Sequence, residues 1–176
     1  MLLYNFSMNK AKSFLKETIE TLLISGVILF ILLKFFIYPC RVDGTSMYPT
    51  LHDNDIGHSF IITKNIGVNR FDICVIKLND EYGKKIVKRV IGMPNETIEY
   101  KDNVLYIDGV KYEEDYLKDV TTNDFSVKLN DDEYFCLGDN RNNSKDSRYY
   151  GAFSKDMIIS THVLVLYPFN NFGVKK

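Results

Sequence analysis

Apolar and polar residues follow two different patterns along the chain, and the pattern changes near residue 40. Residues 21–38 read TLLISGVILFILLKFFIY, an apolar run interrupted by one charged residue, Lys34. At about 1.5 Å per residue, a helix of this length reaches about 27 Å, close to the hydrocarbon thickness of a bilayer. The run therefore predicts a transmembrane anchor, preceded by a cytoplasmic N-terminal segment over residues 1–20.

The residues around this run favour one orientation and a retained anchor. Three lysines precede it against two glutamates, and such a basic excess favours a cytoplasmic N-terminus. A cleaved secretory signal would have a shorter apolar stretch followed by small residues, whereas this run ends in FFIYPC. We therefore expect a single-pass protein of the cytoplasmic membrane, with an extracytoplasmic domain over residues 39–176.

After residue 40 the pattern changes to short runs rich in β-branched and aromatic residues. Such runs, separated by turn residues, are typical of strands. The predicted strands lie at 71–78, 84–92, 97–100, 104–109, 133–139 and 158–167, with a hairpin meander over 97–112. No helical period of useful length follows residue 45, apart from a short turn at 154–158. The sequence therefore predicts a mainly β, antiparallel outer domain with one N-terminal transmembrane helix.

The amino-acid composition of the chain excludes some classes of binding partner. The chain has 22 basic and 23 acidic residues among 176, and residues 40–176 carry a net charge of −3. Nucleic-acid binding needs a concentrated basic face, so we expect no nucleic-acid partner. Cys40, Cys74 and Cys136 lack metal-ligand spacing with each other or with the three histidines, so we expect neither a metal nor a cofactor. The latter two cysteines lie in strand-like runs, which predicts buried thiols.

The first segment that could carry chemistry is GTSMYPTL, residues 44–51. Gly44 frees the backbone two residues before Ser46, and Pro49 restricts it three residues after. This pattern predicts a constrained, exposed turn that presents a serine hydroxyl. Taken alone, it also fits an ordinary loop serine.

The second segment is KIVKRVIG, residues 85–92. Strand alternation places Lys88 among apolar side chains on one face and Arg89 on the other. Burial disfavours an ammonium group, so the pKa of Lys88 would fall, and a neutral amine can take the proton of a serine hydroxyl. The alternative is a charged strand on a solvated sheet.

The third segment is GDNRNNSKDSR, residues 138–148. Its charged side chains could form a network that fixes the loop and the small Ser144. The alternative is a surface loop held by salt bridges and turns. The four charged residues of the predicted network are Asp139, Arg141, Asp146 and Arg148.

Together these segments resemble the bacterial type I signal peptidases, the membrane-bound Ser/Lys endopeptidases of peptidase family S26 that remove signal peptides from exported proteins. The similarity runs from the anchor to the C-terminal region, with SMYPTL, KRVIGMP and GDNRxNSxDSR in the expected order. The single span and short outer domain are similar to the compact Gram-positive-type members. The resemblance implies an antiparallel β-sheet catalytic domain of the signal-peptidase type.

The resemblance also implies a role for each matching residue. Ser46 would be the nucleophile, Lys88 the general base, and Ser144 a hydrogen-bond partner that orients the Lys88 amine. The backbone N–H of Ser46 would donate to the oxyanion, while Gly44 lacks the side-chain donor that other members have at this position. Asp139, Arg141, Asp146 and Arg148 would be structural supports. Pockets for the residues one and three before the cut would be formed by Val42, Met47, Leu51, Ile86 and Val87, and would favour Ala-x-Ala-like sites.

Two positions depart from the family's usual pattern. Phe71 follows Arg70 where the family usually has glycine, and Asn95 stands where it usually has the glycine of a Pro-Gly-Asp turn. Asparagine is the next-best residue for a left-handed turn, so we expect that turn to survive.

The implied partners are secretory preproteins and the lipid bilayer, with the protein translocation machinery as a further candidate. Two alternatives stay open. One is a specialised relative that processes a single partner, such as a pilin or a conjugation protein. The other is a non-catalytic anchored β-domain that binds extended peptides, although the intact set of Ser46, Lys88 and Ser144 weighs against it.

Overall fold

The computed structural model describes residues 2–61, 67–117 and 121–175. The chain divides into two compact units, Met1–Phe36 and Ile37–Lys176, and each is described by itself.

The first unit is one helix, α1, over Leu2–Phe36. Its residues are mostly good helix formers such as Leu, Lys and Glu, without an internal proline. The helix ends two residues before the predicted anchor does, because Ile37 and Tyr38 begin a strand that pairs with Phe60 and Ser59. Within the part of the chain that the structure describes, no helix combines the length and apolar character needed to cross a membrane.

The second unit is built from short strands. Its elements are β1 Ile37–Arg41, β2 Ile56–Phe60, β3 Ile73–Lys77, β4 Lys85–Gly92, β5 Thr97–Lys101, β6 Val104–Ile107, β7 Val110–Tyr112, β8 Phe125–Lys128, β9 Glu133–Leu137, α2 Ser147–Tyr150, β10 Phe153–Ser154, β11 Ile158–Tyr167 and β12 Gly173–Lys175. Short 3-10 turns lie at Arg141–Asn143, Lys155–Met157 and Phe169–Asn171.

These strands form two antiparallel sheets within the described residues. The larger has the order β1-β2-β11-β3-β4-β9-β10, with β12 also paired to β11, and the smaller has the order β7-β6-β5-β8. The antiparallel β prediction is confirmed, and all six predicted strands form. Strands β1, β2, β8, β10 and β12 and the one-turn helix α2 were not predicted. Strand β1 begins inside the predicted anchor, and β10 and β12 have only two and three residues, too few to show a period.

Strand β4 is buried on both faces, and this places the candidate base. Val90 packs with Cys74, Cys136 and neighbouring residues in one apolar cluster. Ile91, on the opposite face, packs into a second cluster shared with β5, β6 and β9. The predicted alternation along this strand is confirmed, so Lys88 and Arg89 point into different environments.

Both departures from the family's usual pattern adopt left-handed backbone, with φ of 68° at Phe71 and at Asn95. The predicted survival of the Asn95 turn is confirmed. Phe71 is an outlier for a bulky residue, and tertiary contacts hold it there: its N–H donates to the Val90 carbonyl at 2.7 Å and its carbonyl accepts from Arg89 at 2.8 Å. Its ring also lies 5.8 Å from that of Tyr116.

Candidate active site

The two candidate catalytic side chains meet, although 42 residues separate them. Ser46 lies in the turn between β1 and β2, and Lys88 lies in the middle of β4. The Lys88 amine donates a hydrogen bond of 2.7 Å to the Ser46 Oγ. This is the contact that transfer of the serine proton to the amine requires.

Lys88 is removed from water, with 3% of its surface exposed. It stands directly across from Cys74 on β3, and the thiols of Cys74 and Cys136 lie 3.9 Å apart nearby. Burial lowers the pKa of Lys88 to about 8, although the charges of Asp146 and Asp139 act against this fall. The alternative of a charged strand on a solvated sheet is therefore wrong, and the prediction of buried free thiols at these two cysteines is confirmed.

Hydrogen bonds hold the turn that carries Ser46 on both sides of the serine. Gly44 has a φ of +90°, and its N–H donates to the Asp53 carboxylate at 2.8 Å. The Ser46 carbonyl accepts from the backbone N–H of Asn140 at 3.0 Å. In the described part of the chain the Ser46 N–H donates to no acceptor, which leaves it available for an oxyanion.

Gly138 is required where the loop after β9 meets this turn. A Cβ added there would lie 2.5 Å from the Ser46 carbonyl oxygen and 2.2 Å from the Ser144 Oγ. A larger residue would therefore push the serine turn away from the loop. Gly138 was not predicted as a site residue, and the signal available for it was its place at the start of the third segment.

Ser144 does not make its predicted contact. Its Oγ is buried and forms no hydrogen bond with the Lys88 amine; it acts instead on the Asp146 carboxylate, whose pKa it helps to lower. The Lys88 amine is directed at Ser46 instead, while the Ser144 side chain lies beside Gly138. The hydrogen bond from Ser144 to the amine is thus a correction to the sequence prediction.

The predicted supports lie around the site, but two of the four, Asp139 and Arg141, form their ion pairs with residues outside their own segment. Asp139 is held by two hydrogen bonds from Arg89, at 2.9 and 2.7 Å, with both residues about 3% exposed. The Thr50 hydroxyl adds a third, at 2.5 Å. From the sequence, Arg89 was placed on the face of β4 opposite Lys88 but was not identified as the partner of Asp139.

Arg141 belongs to a second buried cluster. It pairs with Glu114 at 2.6 Å and its Nε donates to the Gly138 carbonyl at 3.0 Å. Tyr100 and Tyr116 hydrogen-bond the same glutamate. Burial by itself would raise the pKa of Glu114, but the hydrogen bonds and charge of Arg141 outweigh it and hold the pKa below its usual value.

Within the third segment, the pair that forms is Asp146 with Arg148, at 2.8 Å. Asp146 is fully buried and also accepts from the Gly138 N–H at 3.0 Å. Burial acts to raise its pKa, but the hydrogen bonds from Arg148 and Gly138 lower it. The predicted four-residue network is therefore replaced by three separate ion pairs, because the loop packs against β4 and the segment after β7.

A cleft of about 230 Å³ opens beside the Ser46 and Lys88 side chains. Four of the five predicted substrate-contacting residues line it, namely Val42, Met47, Ile86 and Val87. The fifth, Leu51, does not line the cleft. It is completely buried and packs with Val42 and Met47 in the apolar cluster beneath.

Fold and site together define a class: an antiparallel β protein in which a desolvated lysine amine meets a serine hydroxyl, as in hydrolases that use serine as a nucleophile. The family described as "Signal peptidase, peptidase S26" matches residues 15–167. The chain belongs to this family, and the identification from the three motifs is confirmed.

Two named signal peptidases are similar to nearly the whole chain, and a solved structure is similar to about half of it. Signal peptidase I S of Bacillus subtilis strain 168 is 40% identical, over 93% of this chain and 95% of its own. Signal peptidase IB of Staphylococcus aureus strain Mu50 is 36% identical, over 92% and 94%. The crystal structure of a signal peptidase I from Enterococcus faecalis V583 is 37% identical, covers 53% of this chain and 95% of its own, and superimposes with a TM-score of 0.49.

Proposed function

We propose that this protein is a membrane-anchored serine endopeptidase that removes N-terminal signal peptides from secretory preproteins. The observation that carries the proposal is the 2.7 Å hydrogen bond between the buried Lys88 amine and the Ser46 hydroxyl. Membership of the signal peptidase family supports the substrate class.

In the proposed mechanism Ser46 and Lys88 perform both halves of the reaction. The Ser46 Oγ attacks the scissile carbonyl as the neutral Lys88 amine accepts its proton, and the Ser46 N–H donates to the oxyanion. The Lys88 ammonium then protonates the leaving amine, which releases the mature protein and leaves an acyl-enzyme. A water molecule deprotonated by Lys88 hydrolyses the ester and restores Ser46.

The oxyanion site has one donor from this chain in the proposal. Gly44, two residues before the nucleophile, has no side chain that could add a second. Loss of one oxyanion donor costs about 3 kcal/mol in other enzymes. We infer that the neighbouring backbone or a water molecule supplies the rest of the stabilisation.

The shape of the cleft supports a preference for small side chains. The cleft of about 230 Å³ is small, and Val42, Met47, Ile86 and Val87 form the apolar part of its lining. A large substrate side chain would overlap its walls, whereas alanine would fit. This supports cleavage after Ala-x-Ala-like sequences.

We also propose that the apolar run over residues 21–38 anchors the chain in the cytoplasmic membrane, with residues 39–176 outside. The described side chains of this run within α1 are exposed and mostly apolar, including Leu22, Leu23 and Phe30. Alkaline extraction of membranes tests the anchor. The parent should stay with the membrane, and a Leu23→Asp/Ile28→Asp variant should be extracted, unlike a Thr18→Asp control. Extraction of the parent would overturn the anchor.

The activity is tested with detergent-solubilised protein and a preprotein that carries an Ala-x-Ala site. The parent should cut after the second alanine, and Ser46→Ala and Lys88→Ala should not. Ser126→Ala and Lys101→Ala change an exposed serine and an exposed lysine on the small sheet, and should cut like the parent.

Each other outcome points to a different conclusion. Cleavage that persists in Ser46→Ala would show that the nucleophile is another residue. Binding of the preprotein by a folded parent without cleavage would favour the non-catalytic peptide-binding alternative. Cleavage of one preprotein among a broad panel would favour a dedicated processing enzyme.

A further inference from the structure

We propose that the cleft beside Ser46 selects substrates that carry an acidic side chain close to the scissile bond. The inference rests on the proposed peptidase function and adds a charge preference to it. Its basis is a set of cations that line the same cleft as Ser46.

Four cations reach this cleft from three separate parts of the chain. Arg41 ends β1, Lys84 and Lys85 stand at the start of β4, and Lys145 follows Ser144 in the loop after β9. Among the described residues that line the cleft, Asp43 is the one carboxylate. The fold therefore concentrates positive charge at one place in a domain whose sequence is acidic overall.

These cations are not neutralised by the protein. Within the described residues, none of the four lies within 4.0 Å of a carboxylate. Arg41 donates to the side-chain oxygen of Asn54, while Lys85 and Lys145 lie over the rings of Tyr38 and Tyr149. All four are exposed to solvent.

The arginines deeper in the site behave differently. Arg89, Arg141 and Arg148 each form a close ion pair with a carboxylate. Their positive charges are therefore already balanced within the protein and attract a ligand only weakly. The charges along the cleft are thus the ones available to an incoming chain. Unpaired cations in a narrow cleft attract an anionic group and repel a cationic one.

The position of Ser46 identifies the ligand as the substrate polypeptide. A peptide bond within reach of the Ser46 Oγ puts the residues on either side of it along the walls of this cleft. An aspartate or glutamate there would meet these cations, and an arginine or lysine would be disfavoured.

The test uses pairs of peptide substrates with an Ala-x-Ala site. Each pair differs by Asp or Asn at one position, from three residues before the cut to three residues after, excluding the two alanines. We expect kcat/KM to be about five-fold higher for the Asp peptide at one or more positions at low ionic strength. The preference should fall below about two-fold at about 0.5 M salt.

Two variants with the same change in total charge separate the cleft from the overall charge. One combines Arg41→Gln, Lys84→Gln, Lys85→Gln and Lys145→Gln, and should lose the Asp preference. The other combines Lys101→Gln, Lys111→Gln, Lys128→Gln and Lys155→Gln, which do not line the cleft, and should keep it.

Several results would overturn the inference. Equal cleavage of Asp and Asn peptides at every position would overturn it and leave the peptidase function intact. The inference would also be overturned if the variant with four cleft substitutions kept the preference for Asp peptides, or if the control variant lost it to the same extent. Activity that depends on the cleft cations only in vesicles with anionic lipid would make the membrane the partner instead. If the parent cleaves neither peptide, the proposed function falls, and the inference with it.

Discussion

Two neighbouring residues of β4, Lys88 and Arg89, are equally buried, but their side chains contact different kinds of groups. Each has 3% of its surface exposed. Arg89 makes a two-pronged ion pair with Asp139, and its guanidinium lies 4.0 Å from the ring centre of Tyr116. Lys88 faces two thiols and a serine hydroxyl, and among the described residues no carboxylate lies within ion-pairing distance of its amine.

This difference separates a structural cation from a reactive one. A buried arginine with a matched carboxylate keeps its charge and holds the loop that bears Asp139. A buried lysine without such a partner can lose its proton near neutral pH. Burial alone therefore does not make a side chain reactive, since the chemistry of its nearest partner decides the outcome.

The largest expected effect is the loss of activity in Lys88→Met. This change keeps the side-chain volume but removes the base, and we expect kcat/KM to fall by about 10⁴-fold. The same variant should be more stable at pH 7, by up to about 3 kcal/mol, because the native state no longer holds an ammonium whose pKa is lowered to about 8.

The sign of this stability difference depends on pH. Below about pH 8 the lysine is charged in both the folded and the unfolded chain, so the parent bears the whole cost of burial. Between pH 8 and the ordinary lysine pKa, near 10.5, the folded lysine is neutral while the unfolded one is still charged, so the cost falls progressively and is gone above that pKa. Urea unfolding of the parent and of Lys88→Met at pH 7 and pH 10 measures this stability difference. An equal gain in stability from Lys88→Met at both pH values would contradict the lowered pKa of Lys88.

The matched change on the other face, Arg89→Met, should act in the opposite direction. It leaves Asp139 buried without its counter-charge, and we expect the free energy of unfolding to fall by about 3–5 kcal/mol. The double variant Arg89→Met/Asp139→Asn should recover part of this loss. If both single methionine variants shift stability in the same direction, the contrast between the two faces is wrong.

Activity should rise with pH, because catalysis uses the neutral amine. With a pKa of about 8 for Lys88, kcat/KM should rise about ten-fold per pH unit below that value and level off above it. A rate profile between pH 5.5 and pH 10 measures this. A profile that stays flat below pH 8 would exclude a titrating lysine base with this pKa.

A smaller effect is expected from Glu114→Gln, which weakens the second buried ion pair. We expect a loss of about 2 kcal/mol at pH 7, because an amide does not balance the charge of Arg141 and offers it one acceptor oxygen instead of two. The pKa of Glu114 is lowered in the folded state, so its contribution is present above the unfolded pKa and is lost as the pH falls through the folded value.

The matched control for this prediction is Glu113→Gln, which changes an exposed neighbour paired with Lys111. It should leave the free energy of unfolding nearly unchanged, because solvent screens an exposed ion pair. Thermal unfolding of both variants at pH 7 and at pH 3 separates the two positions. Equal small losses at pH 7 would show that the Glu114 pair contributes little.

Much of the β-sheet structure could be predicted from the amino-acid sequence. The six predicted strands combine β-branched and aromatic residues over runs long enough to show a period, and all of them form. Strand alternation correctly placed Lys88 and Arg89 on opposite faces of β4. Strands β1, β2, β8, β10 and β12 were missed; β10 and β12 have only two and three residues, too few to show a reliable pattern.

The candidate site was predicted in part. The pairing of Ser46 with Lys88 was expected and is present, whereas the expected hydrogen bond from Ser144 to Lys88 is absent in the described structure. Glu114 was missed completely, because it lies in a segment with no strand period and no motif. Its partner Arg141 is 27 residues away in sequence.

The sequence by itself determined where six of the strands lie, that Lys88 and Arg89 lie on opposite faces of one strand, and which family the motifs match. These properties depend on the local alternation of side chains along the backbone and on short motifs. Only the tertiary structure decided that Arg89 pairs with Asp139, that Arg141 pairs with Glu114, and that four cations line the same cleft. The choice of a partner depends on strand register and loop packing, which bring together residues that no local pattern connects.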